Sequence, residues 1–182
     1  MKRFTLFFMA FVMNLGFLAL ADDDKHELEN SHVSVKASEH NSTRFTETKT
    51  VNGKEYLVGK GSSYNKKGEA VTGKTLWPYA EYILRSGLMG GNYHVTVYYR
   101  LDKNKTPDTP KILLGMDLLE AQELEVEKKL INTVKATFYT KLLKGKNHTL
   151  KIWLPSEGVE IEKFEIRRAL ITKKDPNAKS ND

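Results

Sequence analysis

The sequence predicts an all-β fold, a sandwich or barrel of short strands. Two observations carry that prediction. Several segments alternate apolar and polar residues with period two, and Gly, Pro or Asn turn signals separate them at short intervals. Tyr93 to Arg100 is the strongest segment. Tyr93, Val95, Val97 and Tyr99 point to one side, and His94, Thr96, Tyr98 and Arg100 to the other. Its residues are β-branched or aromatic, suited to a pleated, half-buried surface. Before it, Tyr79 to Arg85 alternates with Ala80, Tyr82 and Leu84 on one face, and Gly90-Gly91-Asn92 supplies the turn between the two.

The pattern recurs in the last third. Thr137 to Leu142 reads as a strand, with Lys144 to Asn147 as a turn. Thr149 to Leu154 follows, placing Leu150, Ile152 and Leu154 inward and Thr149, Lys151 and Trp153 outward. Pro155 to Gly158 turns the chain into a final strand, Val159 to Arg168. The segment from Asp117 to Ile131 has helix-forming composition, with Leu118, Gln122, Val126 and Leu130 at helical spacing, yet Leu124, Val126 and Lys128 also alternate. The expectation is one short helix or irregular turn at about 117–124, then a strand.

The amino terminus predicts export. Lys2 and Arg3 precede an apolar run from Phe4 to Leu20, Ala19-Leu20-Ala21 offers small residues to a signal peptidase, and Asp22 to Asp24 follow. The expected organisation is a signal peptide over 1–21, a charged leader over 22–25, one domain over 26–171 and a disordered tail over 172–182. The mature chain of about 160 residues has the size of one domain. With no cysteine it must draw its rigidity from a core rather than from disulfides. Cysteine-free export points to a bacterial periplasm, cell surface or exterior. The net charge of +6 is spread among interleaved acids and bases, which indicates no nucleic-acid partner, and signal cleavage leaves no stable membrane insertion.

Four pieces in fixed order carry a family resemblance: Glu27-Leu28-Glu29, WPYAEYILRSGLMGGNYHVTVYYR, FYTKLLKGKNHTLKIWLP and SEGVEIEKFEIRR. Together, from Glu27 to Arg168, they resemble the galactose-binding-like β-jelly-roll modules typified by carbohydrate-binding modules of families 6 and 35. The resemblance implies a β-sandwich jelly roll and a binding function directed at a polysaccharide or glycan. It also implies a structural Ca²⁺ held by acidic side chains of the first and last strands, matched here by Glu27, Glu29 and Glu162. Glu replaces the usual late Asp, which lengthens that ligand's reach.

Sugar recognition sets flat aromatic faces against the C–H face of a pyranose and adds a few orienting polar groups. Candidates are Trp77 and Tyr79 in the approach to a strand, Trp153 on the non-core face of its strand, and Tyr64 in a Gly/Ser/Asn/Lys-rich loop. Lys66, Lys67 and Lys74 could pair with uronate or sulfate groups. No nucleophile elbow, zinc-protease motif or phosphate loop is present in the sequence. His148 falls in a turn and reads as solvated. The leading expectation is therefore a non-catalytic carbohydrate binder. The alternatives are a protein-interaction or cell-surface accessory domain on the same fold, and a small β-fold enzyme that degrades polysaccharide.

Overall fold

The structure is a computed structural model that describes residues 26–168, apart from 29–31, 72, 74–75, 87–90, 118, 129–130 and 141–146. The signal-peptide and tail expectations, and the turn expected at Lys144 to Asn147, fall mostly or wholly outside those residues.

Among the described residues, twelve strands form two six-stranded sheets. They are β1 (His26–Leu28), β2 (His32–Lys36), β3 (Ser42–Arg44), β4 (Thr46–Val51), β5 (Lys54–Gly59), β6 (Tyr79–Ser86), β7 (Gly91–Leu101), β8 (Lys111–Met116), β9 (Gln122–Glu125), β10 (Ile131–Thr140), β11 (Asn147–Trp153) and β12 (Val159–Arg168). The first sheet runs β1-β6-β11-β8-β9, with β3 sharing the β1 edge of β6. The second runs β10-β7-β12-β5-β4, with β2 sharing the β5 edge of β12. All pairings are antiparallel except β1 with β6. The all-β jelly-roll sandwich expected from the sequence is the fold observed. β6 and β7 are consecutive but lie in different sheets, and Gly91 and Asn92 of the expected turn are the first residues of β7.

The core lies between the sheets and follows the alternation. Ala80, Tyr82 and Leu84 of β6, Leu150 and Ile152 of β11, and Ile112, Leu114 and Met116 of β8 line one side. Tyr93, Val95, Val97 and Tyr99 of β7 and Ile161, Phe164 and Ile166 of β12 line the other. Ile161 and Phe164 are three apart, and both point inward because the ladder to β7 shifts register between Ile161 and Lys163. Glu162 is the extra residue of that β-bulge.

Tyr82 bridges the layers. Its ring meets Phe164 edge-on at a centroid distance of 4.6 Å, and its buried hydroxyl donates to the Ala37 carbonyl at 2.8 Å. Burial pushes the phenol well above its ordinary value, so it stays a donor at every ordinary pH.

Of the two states expected after Asp117, a short helix or an irregular turn before a strand, the described residues show the second. Gln122–Glu125 is β9, an edge strand paired with β8, and Leu119 to Ala121 is irregular. A 3₁₀ turn follows β5 at Gly61–Ser63.

The Tyr82 hydroxyl yields a direct test. In Tyr82→Phe the ring packing survives but the Ala37 carbonyl is left without its buried donor. Stability should fall by about 1–3 kcal/mol. In urea the unfolding midpoint should move down with an unchanged slope, and an unmoved midpoint would show that the bond contributes nothing.

Candidate functional site

The outward face of the first sheet gathers the chemistry. The register builds one row across five strands: Arg44 of β3, Tyr79 of β6, Trp153 of β11, Leu113 of β8 and Glu123 of β9. Two residues along lies a second row: Ser42, Glu81, Lys151 and Gly115. At about 4.8 Å between strands, the first row spans roughly 19 Å.

Trp153 is half-buried, as expected for the non-core face of β11. Its six-membered ring lies over Gly115: a Cβ at that glycine would stand 2.9 Å from Cζ3 and 3.0 Å from Cη2. Glycine in a strand otherwise lined by large apolar side chains thus lets the indole approach the sheet closely. Leu113 beside it is fully buried although it is not part of the inter-sheet core, and the Lys111–Glu123 ion pair at 2.6 Å flanks it.

Tyr79 is half-buried, and the Lys151 ammonium stands 3.4 Å from its ring centroid and 5.3 Å from the Trp153 ring. Both contacts are cation–π attractions. The same ammonium donates to Glu81 Oε1 at 2.7 Å, and Ser42 Oγ donates to Glu81 Oε2 at 2.8 Å. Burial acts to raise the Glu81 carboxyl. The hydrogen bonds from Lys151 and Ser42, with the Lys151 charge, outweigh it and hold the group below the usual carboxylate range. Arg44 is exposed at the end of the aromatic row, its guanidinium carbon 5.1 Å from the Phe45 ring centroid.

The other candidates are placed differently. Tyr64 is a buried post rather than a platform. Its hydroxyl donates to the Leu154 carbonyl at 2.9 Å, and burial raises its ionisation far above the ordinary phenol. It pins the loop that follows β5. Ala70 N–H donates to the Pro155 carbonyl at 2.9 Å and Leu154 N–H to the Pro78 carbonyl at 2.8 Å, so that loop is tied to the chain just beyond Trp153. Trp77 is half-buried at the loop's end, with its Nε1 buried and lacking an acceptor. Lys66 is exposed on the turn from Asn65 to Gly68, and none of its contacts brings it to the aromatic row. Lys74 lies outside the described residues.

Of the expected Ca²⁺ ligands, Glu162 lies in the β-bulge of β12. Its carboxylate accepts from Lys54 Nζ at 2.7 Å. On β12, Lys163 stands opposite Lys36 and Arg167 opposite His32, which places Glu162 beyond the Lys36 end of β2. Glu27 is placed on β1 opposite Arg85, and Glu29 is outside the described residues. Among the described residues no group of three His, Asp or Glu side chains could hold a metal.

The solvated reading of His148 is also overturned. It lies on the core face of β11, 7% exposed, and its Nδ1–H donates to Asp117 Oδ2 at 2.7 Å. Sequence reasoning passed over Lys151 and Glu81 as site residues, although the alternation already set Lys151 on the face of Trp153. It also missed Gly115, whose signal is a lone glycine inside an apolar run.

Two outcomes follow from this geometry. Gly115→Val should lift the indole off the sheet. In a Trp77→Phe background, Trp153 emission should shift to longer wavelength with the far-UV circular dichroism preserved, and an unchanged spectrum would refute the stacking. The Glu81 carboxyl is lower in the folded than in the unfolded state, so its contribution is complete above the unfolded value of about 4.3 and is lost as pH falls through the folded value. Glu81→Gln should therefore flatten the stability profile below about pH 4 relative to the parent; coincident profiles would remove the pair from the account.

No family model and no curated protein matches the sequence. Solved structures do match the fold. The C-terminal family 6 carbohydrate-binding module of LamC, a marine laminarinase from Zobellia galactanivorans, superposes with a TM-score of 0.54 at 14% identity, over 75% of this chain and 99% of that one. A family 35 carbohydrate-binding module from Clostridium thermocellum gives 0.52 at 13%, over 76% and 99%. The family 6 module CBM6cm-2 of the Cellvibrio mixtus lichenase 5A, solved with cellotriose, gives 0.51 at 11%, over 76% and 98%. The chain has the galactose-binding-like β-jelly-roll fold and in that fold resembles the carbohydrate-binding modules of families 6 and 35.

Proposed function

We propose that this protein is an exported, non-catalytic carbohydrate-binding module, and that its glycan lies along the outward face of the first sheet. One observation carries the reading: Trp153 packs its six-membered ring against Gly115 beside Tyr79, with a Lys151–Glu81 pair in the adjoining row. A pyranose ring offers an apolar C–H face and an edge of hydroxyls. A flat indole takes the first, and a fixed donor beside a fixed acceptor takes the second. Arg44 extends the polar edge at one end of the row. Tyr64 has no part in it, and Trp77 supports the loop behind it.

Affinity electrophoresis against soluble β-glucans, xylan and mannan tests the proposal. At least one glycan should retard the protein, and Trp153→Ala should weaken that binding about tenfold or more while the fold is kept. Tyr79→Ala should weaken it less, because Lys151 already covers one face of that ring. If no glycan retards the parent, or if Trp153→Ala binds as the parent does, the site is elsewhere or absent. Release of reducing or unsaturated ends on incubation would favour the enzyme alternative instead.

A further inference from the structure

The outward face of the second sheet has a different chemistry, and the β7, β12 and β2 ladders arrange it as a grid. One row holds His94, Arg167 and His32; the next Thr96, Glu165 and Ser34; the third Tyr98, Lys163 and Lys36. Three permanent cations stand here against a single carboxylate. Lys163 and Lys36 are directly opposite each other, a pairing that costs stability in a sheet, and Arg167 lies between two imidazoles.

The one acid organises the cations rather than cancelling them. Glu165 is 8% exposed and accepts from Lys163 Nζ at 2.8 Å and from the Arg167 guanidinium at 3.0 Å, with His32 Nε2 3.8 Å away. Lys163 also stands 4.3 Å from the Tyr98 ring centroid. The hydrogen bond from Lys163 leads the effects that hold Glu165 below the usual carboxylate range, with burial opposing it. Arg167 and Lys36 keep side-chain exposures of 64% and 71%, and Lys36 has only a loose contact with Glu39 at 3.8 Å. Toward the other end of the same sheet, by contrast, Arg100 and Lys49 are matched by Glu160 and Asp102. Among the described residues, Lys36, Lys163 and Arg167 gather the excess positive charge at the β2 end.

We propose that this grid is a second binding surface and that it takes a linear acidic polysaccharide, with carboxylate or sulfate groups on Lys36, Lys163 and Arg167. The guanidinium fork suits such anions, and the Ser34 and Thr96 hydroxyls between the cations match the hydroxyls of a sugar chain. The large apolar side chains exposed among the described residues, Phe45, Val71, Leu76 and Leu119, belong to none of the β7, β12 and β2 strands of the grid, so the grid itself has nothing to insert into a lipid layer. Lys163 stands over the Tyr98 ring, so a base stacking on that face would meet the ammonium first. The surface is independent of the aromatic row on the opposite side of the sandwich.

Titration with polygalacturonate at increasing salt tests this. The purified protein should bind at low ionic strength and lose affinity as salt rises. Lys36→Glu with Arg167→Glu, both at exposed side chains, should weaken binding about tenfold or more. Lys66→Glu with Lys67→Glu, the same charge change on the loop tied to Pro155 and Ser156, should stay within about twofold of the parent. Trp153→Ala should leave this binding intact. Should the double variant not fold, Arg167→Gln carries the same comparison with a smaller drop. Absence of binding at low salt, or equal weakening by both double variants, would overturn the proposal. So would capture by phosphatidylserine vesicles without capture by polygalacturonate.

Discussion

The alternation along β6 is the constraint on which the molecule depends. One side of the strand sends Ala80, Tyr82 and Leu84 into the core, and the other presents Tyr79 and Glu81 to solvent. The inward set is fixed by burial and by Tyr82, whose ring touches Phe164 of the facing sheet while its hydroxyl holds the chain at Ala37. A one-residue slip of β6 would turn that phenol outward and Glu81 into an apolar layer. The cost of burying an unpaired carboxylate excludes that register. The position of Tyr79 and Glu81 on the outer face is therefore set by the core and not by any contact on the face itself.

The strands legible in the sequence are those whose two faces differ in polarity. β7 and β11 follow the predicted alternation residue for residue, and β12 takes the predicted bounds. Others hide for identifiable reasons. β4 reads Thr-Glu-Thr-Lys-Thr-Val and β9 Gln-Glu-Leu-Glu, edge strands with little apolar surface to mark them. β8 reads Lys-Ile-Leu-Leu-Gly-Met, nearly all apolar, because Leu113 is buried on the outward side as well. Period two disappears when both faces are covered. The Glu- and Leu-rich stretch around β9 has helical composition, yet pairing with β8 decides its state, an instance of tertiary context outweighing propensity.

The candidate site was legible to the same extent and for the same reason. Trp153 and Lys151 share a face by simple alternation, so that half of the site needed no coordinates. Tyr79 joins them only through the β6–β11 register, and Glu81 with it. Such cross-strand neighbours are separated by some seventy residues of chain, and no local signal reports them. Tyr64 misled because the composition of its loop suits recognition. The loop is exposed, but its one aromatic is turned inward as an anchor. Glu162 sits in a β-bulge, where its carboxylate meets Lys54, a partner that no alternation in the sequence reports. His148 misled because its neighbours in sequence, Lys146 and Asn147, are polar, while its own side chain follows Leu150 and Ile152 into the core and meets Asp117 there.

The two outward faces differ in what water and salt can do to them. On the aromatic face, Lys151 and Glu81 neutralise each other and are fixed by Ser42 and Tyr79. A ligand there gains little from net charge and must draw its free energy from covering Trp153. Because the polar groups are already held, little side-chain entropy remains to be lost on binding. Salt should hardly affect such an interaction. On the cationic face the free energy is Coulombic, between exposed groups within a Debye length of the ligand, and ions compete for it directly. Ionic strength is thus the variable that separates the faces. A single glycan that bound both would show a salt-sensitive part removed with Arg167 and Lys36, and a salt-resistant part removed with Trp153.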